Sequence, residues 1–299
     1  MDLPALNAFV AVAETASFSR AAEQLFMTQP AISKRIATLE ADLEVSLFDR
    51  LGRRVQLTEA GETFLLSTRR ILADLATSCE EVRSLSENIG GRLRLGTSHH
   101  VGIHRLPPVL KTYTQAYPKV DLDLLFMDSE QACADIANGS LEIAIVTLPD
   151  KPDSSLQTTL VWPDPLAIVA APDHALALTA GLSKNHKGIN PTLLAKYAAV
   201  LPARGTVTRG ILFEALAPFD FSIETALETN YLETIKMMVS VGLGWSALPR
   251  SMLDDTIVAV PVNGINMMRQ LGIVRLRGRT LSRAAVALLD GLIDGNTNC

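Results

Sequence analysis

The chain has 299 residues, 48% of them hydrophobic and 20% charged, with a formal net charge of −5. This is the profile of a soluble globular protein with a large core and room for two or three domains. It excludes several classes: no apolar run approaches the roughly 20 residues of a membrane span, Met1-Asp-Leu-Pro lacks the cationic start of an export signal, and Cys79, Cys133 and Cys299 are too scattered for a disulfide framework or a cysteine metal cluster, so a reducing cytoplasm is expected.

A negative total does not exclude a nucleic-acid partner, because local patches decide. Leu3, Leu6, Phe9, Val10 and Ala13 recur at helical period over residues 3–15. A second helix is expected from an N-cap at Ser19 to Leu25. Thr28 then caps a third, with Pro30 in its first turn, where proline is tolerated. Ile32, Ile36, Leu39 and Leu43 share one face of that helix, which leaves Pro30, Ser33, Lys34, Ala37 and Thr38 on the other. Two helices around a tight turn, the second with a polar and cationic outer face, make an arrangement that places a helix in the DNA major groove. Arg50, Arg53 and Arg54 surround Gly52 between two short strand-like pieces, a β-wing. Cations and acids nearly balance over residues 1–58, but the cations gather on the third helix and the wing. Phosphate attraction is local at physiological salt, so this segregation matters more than the sum.

From Thr58 to about Glu87 the pattern is helical and free of proline. Phe64, Thr68, Ile71, Leu75, Ser78, Val82 and Leu85 alternate at spacings of four and three, a heptad seam with two polar interruptions. Such a rod is about 44 Å long, and one apolar stripe calls for a second helix, so it is expected to join two chains. Asn88-Ile-Gly-Gly91 ends it as a hinge.

Beyond Gly91 strands and helices alternate, which argues for parallel α/β sheets. Strands are expected at 93–95, 120–126, 141–146, 166–170, 198–201, 224–227, 245–248, 257–262 and 272–276. Helices are expected at 101–116, 130–138, 191–196, 208–217, 231–241 and 281–293.

The order of parts resembles the LysR-type transcriptional regulators. The carrying residues are Phe9, Val12, Ser17, Phe18, Ala21, Ala22, Leu25, Thr28, Gln29, Pro30, Ala31, Ser33, Ile36, Leu39, Glu40, Leu43, Leu47, Phe48, Arg50, Thr58, Ala60 and Gly61. They span two helices, the turn and the wing; the remainder resembles the family more loosely. The resemblance implies an α+β multidomain fold: a winged helix-turn-helix over 1–58, a linker helix over 59–87, a hinge at 88–91, and a two-lobed α/β domain of the periplasmic-binding-protein type over 92–299. Lobe 1 would take about 92–162 and 266–299, and lobe 2 about 163–265. It further implies a DNA-binding regulator that works as a homodimer or homotetramer, answers a small-molecule effector and has RNA polymerase as a further candidate partner.

Gln29, Ser33 and Lys34 suit base edges, and Pro30 and Thr38 shape fit. Thr28, Arg35, Arg50, Arg53 and Arg54 suit phosphates. Effectors of two-lobed α/β domains bind where loops leave the strand ends. That points to Thr97, Ser98, His99, His100, Asp128, Ser129, Thr147, Thr206 and Asn230, with Leu148, Arg204 and the Gly242–Trp245 segment as further wall. Hydroxyls and helix N-termini favour an anionic ligand, and Asp128 asks that it also carry a donor. His100 and His104 stand at i, i+4, a spacing that could hold a metal, but no third donor is evident nearby, so no metal and no cofactor is expected. Competing readings are a solute-binding protein and a redox-sensing regulator using Cys133. An enzyme is not expected, since no Gly-x-Ser-x-Gly, P-loop, metal signature or triad is present.

Overall fold

The computed structural model describes residues 1–51, 54–83, 89–181 and 188–296. Gly52, Arg53, Leu85, Asn88 and Cys299 lie outside them, as do the side chains of Arg50, Arg54 and Val82.

The head is built from α1 (Leu3–Thr15), α2 (Phe18–Gln24), α3 (Gln29–Leu43), β1 (Phe48–Leu51) and β2 (Arg54–Leu57). The second helix starts earlier than expected. Ser17, in extended conformation, caps it by accepting from the Arg20 N–H at 3.3 Å, and Ser19 already lies inside. Thr28 is the N-cap residue of α3 as read from the sequence, although its side chain makes no capping bond. Phe9, Phe18, Phe48 and Phe64 form the aromatic centre of the head, with ring centroids 5.1–5.9 Å apart. Ile32, Ile36 and Leu39 are buried there, which fixes the rotation of α3.

The linker helix α4 spans Glu59–Arg83, about 37 Å at 1.5 Å per residue. Its seam divides. Phe64 packs into the head and Thr68 is buried, whereas Ile71 and Leu75 are exposed. An ion pair of 2.9 Å between Arg69 and Glu14 fastens α4 to α1.

The rest is two lobes sharing one mixed sheet. Lobe 1 contains β3 (Gly90–Thr97), α5 (His99–His104), α6 (Leu106–Ala116), β4 (Lys119–Phe126), α7 (Ser129–Ala137) and β5 (Ile143–Thr147). The glycine pair expected to act as a free hinge is already strand, and Gly91 takes a φ of 96° that glycine alone adopts readily. The single helix expected over 101–116 is two, broken at Arg105 before Leu106-Pro107. The chain crosses on β6 (Leu156–Ala170) into lobe 2. There it forms α8 (Ala175–Gly181), a 3₁₀ turn (Pro191–Lys196), β7 (Ala199–Leu201), α9 (Val207–Leu216), β8 (Thr225–Glu228), α10 (Leu232–Ser240), β9 (Ser246–Pro249) and β10 (Val258–Ala259). It returns on β11 (Met267–Leu276) and ends in α11 (Arg283–Asn296).

The main sheet runs β10-β6-β11-β5-β3-β4, with β9 also on β6, and β7 and β8 form a separate parallel pair. All-parallel sheets were expected; β3 is parallel to β4 and β5, but β11 is antiparallel to β5 and β6. The two crossing strands cause this, since one leaves lobe 1 and the other returns to it. Along β6 and β11 the register shifts between Leu271 and Gly272. Both faces of each lobe are covered, as alternate residues show. Ile143 and Ile145 of β5 face α6 and α11, while Ala144 and Val146 face α7. On β6, Leu166 and Ile168 serve one lobe 2 core while Ala167 and Val169 serve the other.

Candidate DNA-reading face and effector cleft

On α3, Thr28, Gln29, Pro30, Lys34 and Thr38 are exposed, and Ser33 and Arg35 are half-buried. The Gln29 amide donates to Ser33 Oγ at 3.2 Å, and Thr38 Oγ1 donates to the Lys34 carbonyl. The Glu40 carboxylate accepts from the backbone N–H groups of Leu47 and Phe48 at 2.7 and 3.2 Å, so the far end of α3 holds the start of the wing. The reading face and the hairpin are therefore joined through one carboxylate.

The second site lies between the lobes. Ser98, His99, His100, Asp128, Ser129 and Thr147 line it from lobe 1, and Pro202, Thr206, Thr208, Asn230 and Leu232 from lobe 2. Eight of the nine expected effector residues thus meet in one cleft. Thr97 does not: it is fully buried and its hydroxyl donates to the Ile145 carbonyl, a bond within the sheet. Trp245 is also elsewhere, buried in lobe 2 with its indole N–H shared between the Leu194 and Tyr197 carbonyls. Leu148 is buried in the lobe 1 core, and Arg204 is exposed beside Glu228.

Arg269 is not among the residues expected from the sequence. It is 3% exposed, projects from crossing strand β11 and lines the cleft. Its guanidinium grips Asp164 of β6 at 2.5 and 3.0 Å and donates to Thr208 Oγ1 at 3.2 Å. Arg105 reaches the other Asp164 oxygen at 3.3 Å. A charged residue in an otherwise apolar register of a strand was the available signal. Burial draws the Arg269 pKa down, while the Asp164 carboxylate acts to raise it. Next to this cluster His100 is buried, and burial first, then the charge of Arg269, the neighbouring His104 ring and Arg105, hold it neutral, pushed down to about 2.

The cleft is shut, with about 50 Å³ left inside, far below the roughly 300–1,000 Å³ of ligand pockets. Two contacts close it. The Asn230 amide donates to Asp128 Oδ2 at 2.8 Å, and the Val207 N–H at the start of α9 donates to Glu130 Oε1 at 3.0 Å. His99 also stacks edge-on against Tyr231, with ring centroids 4.7 Å apart. Glu130, absent from the expected set, thus puts a carboxylate where a helix N-terminus favours an anion. Cys133 on α7 is half-buried, and burial with the nearby Glu130 pushes its thiol up to about 11, which favours the protonated thiol at neutral pH.

The chain matches the family model for the bacterial regulatory helix-turn-helix protein, lysR family, over residues 3–62, and that for the LysR substrate binding domain over 86–296. A probable RuBisCO transcriptional regulator of Trichormus variabilis is 30% identical over 302 residues, covering 96% of this chain and 87% of that protein. A full-length OxyR from Pseudomonas aeruginosa superposes with a TM-score of 0.73 at 23% identity, covering 100% of this chain and 95% of that one. The regulatory domain of Synechocystis CcmR, solved in complex with 2-PG, superposes with a TM-score of 0.61 at 23% identity over 70% of this chain and 98% of that one. Among the described residues no helix is long and apolar enough to cross a membrane. Helix-turn-helix head and two-lobed sensor on one chain, each matched by its own family model, make this protein a member of the LysR family of DNA-binding, effector-responsive transcriptional regulators.

Proposed function

We propose that α3 enters the major groove with Gln29, Ser33 and Lys34 against base edges and Pro30 and Thr38 shaping the fit. Thr28, Arg35 and the wing arginines Arg50, Arg53 and Arg54 hold the phosphates. The observation that carries this is the split of α3: Ile32, Ile36 and Leu39 are buried while Gln29, Lys34 and Thr38 are exposed on the opposite face. Through the exposed Ile71 and Leu75, α4 pairs with a second chain, so two heads meet two half-sites on one duplex. Dimers of such dimers, a cytoplasmic location, contact with RNA polymerase and the absence of catalysis belong to the same reading.

In the sensor, the effector is a small anion that also carries a hydrogen-bond donor. Arg269 supplies a buried cation, Ser98 Oγ is buried without a hydrogen-bond partner, and α9 presents its N-terminus. Glu130 holds that N-terminus in the shut cleft, so an entering anion displaces a resident carboxylate and resets the lobes. The change passes along β6 and β11 as a shift between two populations. Quantitative footprinting on genomic fragments, with and without small organic acids, tests both halves. A dyad-symmetric footprint whose pattern changes with one acid supports them; sequence-independent binding overturns the first, and a footprint indifferent to every anion overturns the second.

A further inference from the structure

His100 and His104 lie one turn apart on α5, in lobe 1, with ring centroids 4.8 Å apart. Glu233, in the first turn of α10, comes from lobe 2 and sets its Oε1 2.6 Å from His104 Nε2. One donor atom from each of the three residues lies within 4.8 Å of the others. His100 is 5% exposed, and neither of its ring nitrogens has a hydrogen-bond partner. Buried polar groups are seldom left in that state, and one so left calls for an explanation such as an absent ion.

We propose that His100, His104 and Glu233 form a site for a divalent transition-metal ion of the zinc class, which clips lobe 1 to lobe 2. Two neutral imidazoles and one carboxylate suit zinc, cobalt, nickel or copper, whereas calcium and magnesium prefer all-oxygen shells. An ion about 2.1 Å from each donor holds tetrahedral ligands about 3.4 Å apart. Rotation of His104 and Glu233, whose side chains are 33% and 43% exposed, brings the donors from separations between 2.6 and 4.8 Å to that spacing. That exposure also gives the ion an entry path and leaves a position for water, as in three-ligand zinc sites.

The charges around the site are compatible with a cation. Arg105 from the end of α5 and Arg269 from β11 both face it, but both bind Asp164 of β6, whose Oδ2 lies 3.9 Å from His100 Nε2. Asp164 thus offsets the arginines beside the imidazole. His99 is turned away against Phe126 and Tyr231 and does not compete. His100 also lines the effector cleft, so the two sites adjoin, while His104 and Glu233 lie outside that lining. Since its donors come from both lobes, the ion favours the closed arrangement, and linkage makes its affinity and that of any cleft ligand depend on each other.

The test uses the full-length protein, stripped with EDTA and titrated with Co(II), then Zn(II). The expected result is a visible d–d absorption that saturates at one Co(II) per chain and is displaced by Zn(II). His104→Ala and Glu233→Gln, both at exposed positions where the fold survives, should each weaken Zn(II) binding by more than about tenfold, since loss of an outer-shell partner alone costs 10–100-fold. His174→Ala, on a lobe 2 histidine bonded to the Leu176 N–H, should leave the titration unchanged. Circular dichroism confirms folding of each variant. A protein without the Co(II) band, or full Zn(II) affinity in either His104→Ala or Glu233→Gln, overturns the site and leaves His104–Glu233 as an ion pair only.

Discussion

The reading head and the sensor cleft are built on opposite plans. In the head, the residues that face outward lie within a dozen positions of one helix, and their direction is fixed by Ile32, Ile36 and Leu39 at the helical period beneath them. In the cleft, the lining comes from residues as far apart as Ser98 and Arg269, and no periodicity relates them. A site written on one helix can be read from its own spacing. A site closed by strands that leave a lobe and return to it depends on the whole topology.

That contrast predicts how each site breaks. The largest effect belongs to the crossing strands. Arg269→Ala leaves Asp164, itself fully buried, with only the half-exposed Arg105 as a cation. Removing one partner of a buried pair costs about 3–5 kcal/mol. Chemical denaturation should show that loss in the sensor, with the head still folded, since its core is separate. A loss below about 1 kcal/mol would mean that the Asp164 cluster is solvated and that the crossing strands are not organised around it.

In the head the effect is confined to recognition. Lys34→Ala should cost about 1–3 kcal/mol of discrimination at one base position and leave stability alone. Footprints and melting curves on the same preparation check both. Equal loss on every sequence would move Lys34 from the base-reading set to the phosphate set, and the head would then resemble the cleft in needing distant residues for its specificity.

The difference in legibility follows from the same geometry. Helices α1 and α3, the hairpin and eight of the nine cleft positions were visible because each sits at a cap, a turn or a strand end, where local chemistry marks it. Ser17 was passed over for Ser19 because both are good caps and only the backbone conformation separates them. Glu130, Glu233 and Arg269 were missed for a stronger reason. Each acts on a residue more than 70 positions away, on Val207, His104 and Asp164 respectively. The antiparallel β6–β11 ladder was also missed, since alternating strands and helices read as parallel and the crossing between lobes leaves no mark in either strand.

A smaller effect should come from the latch. Glu130→Gln keeps the hydrogen bond to the Val207 N–H and removes the charge that suits the N-terminus of α9. An anion then meets less competition there, and its affinity should rise by about fivefold, since such charge–dipole terms are worth up to about 1 kcal/mol. Calorimetry with the acid found by footprinting measures it. A fall in affinity would show that Glu130 contacts the effector instead of standing in for it.

At neutral pH the His100 imidazole has no effect on stability, and the sign of its effect in acid follows from burial. In the folded chain its pKa is pushed down to about 2, while unfolded it titrates near 6.5. Above about 6.5 both states are neutral there and the group leaves stability independent of pH. Below that, the unfolded chain takes up a proton that the folded one refuses, so stability falls as acid is added between 6.5 and about 2. Comparing urea unfolding of EDTA-stripped protein at pH 7.5 and 5, in the wild type and in His100→Asn, isolates this contribution. The variant's loss of stability over that range should be smaller by about 2 kcal/mol, the amount that 1.5 pH units below 6.5 makes available at 1.36 kcal/mol per unit. An identical loss would place the His100 imidazole in contact with solvent or a proton-sharing partner. The buried junction of the lobes would then behave like the open face of the head, where charge is settled by water and not by the neighbouring strands.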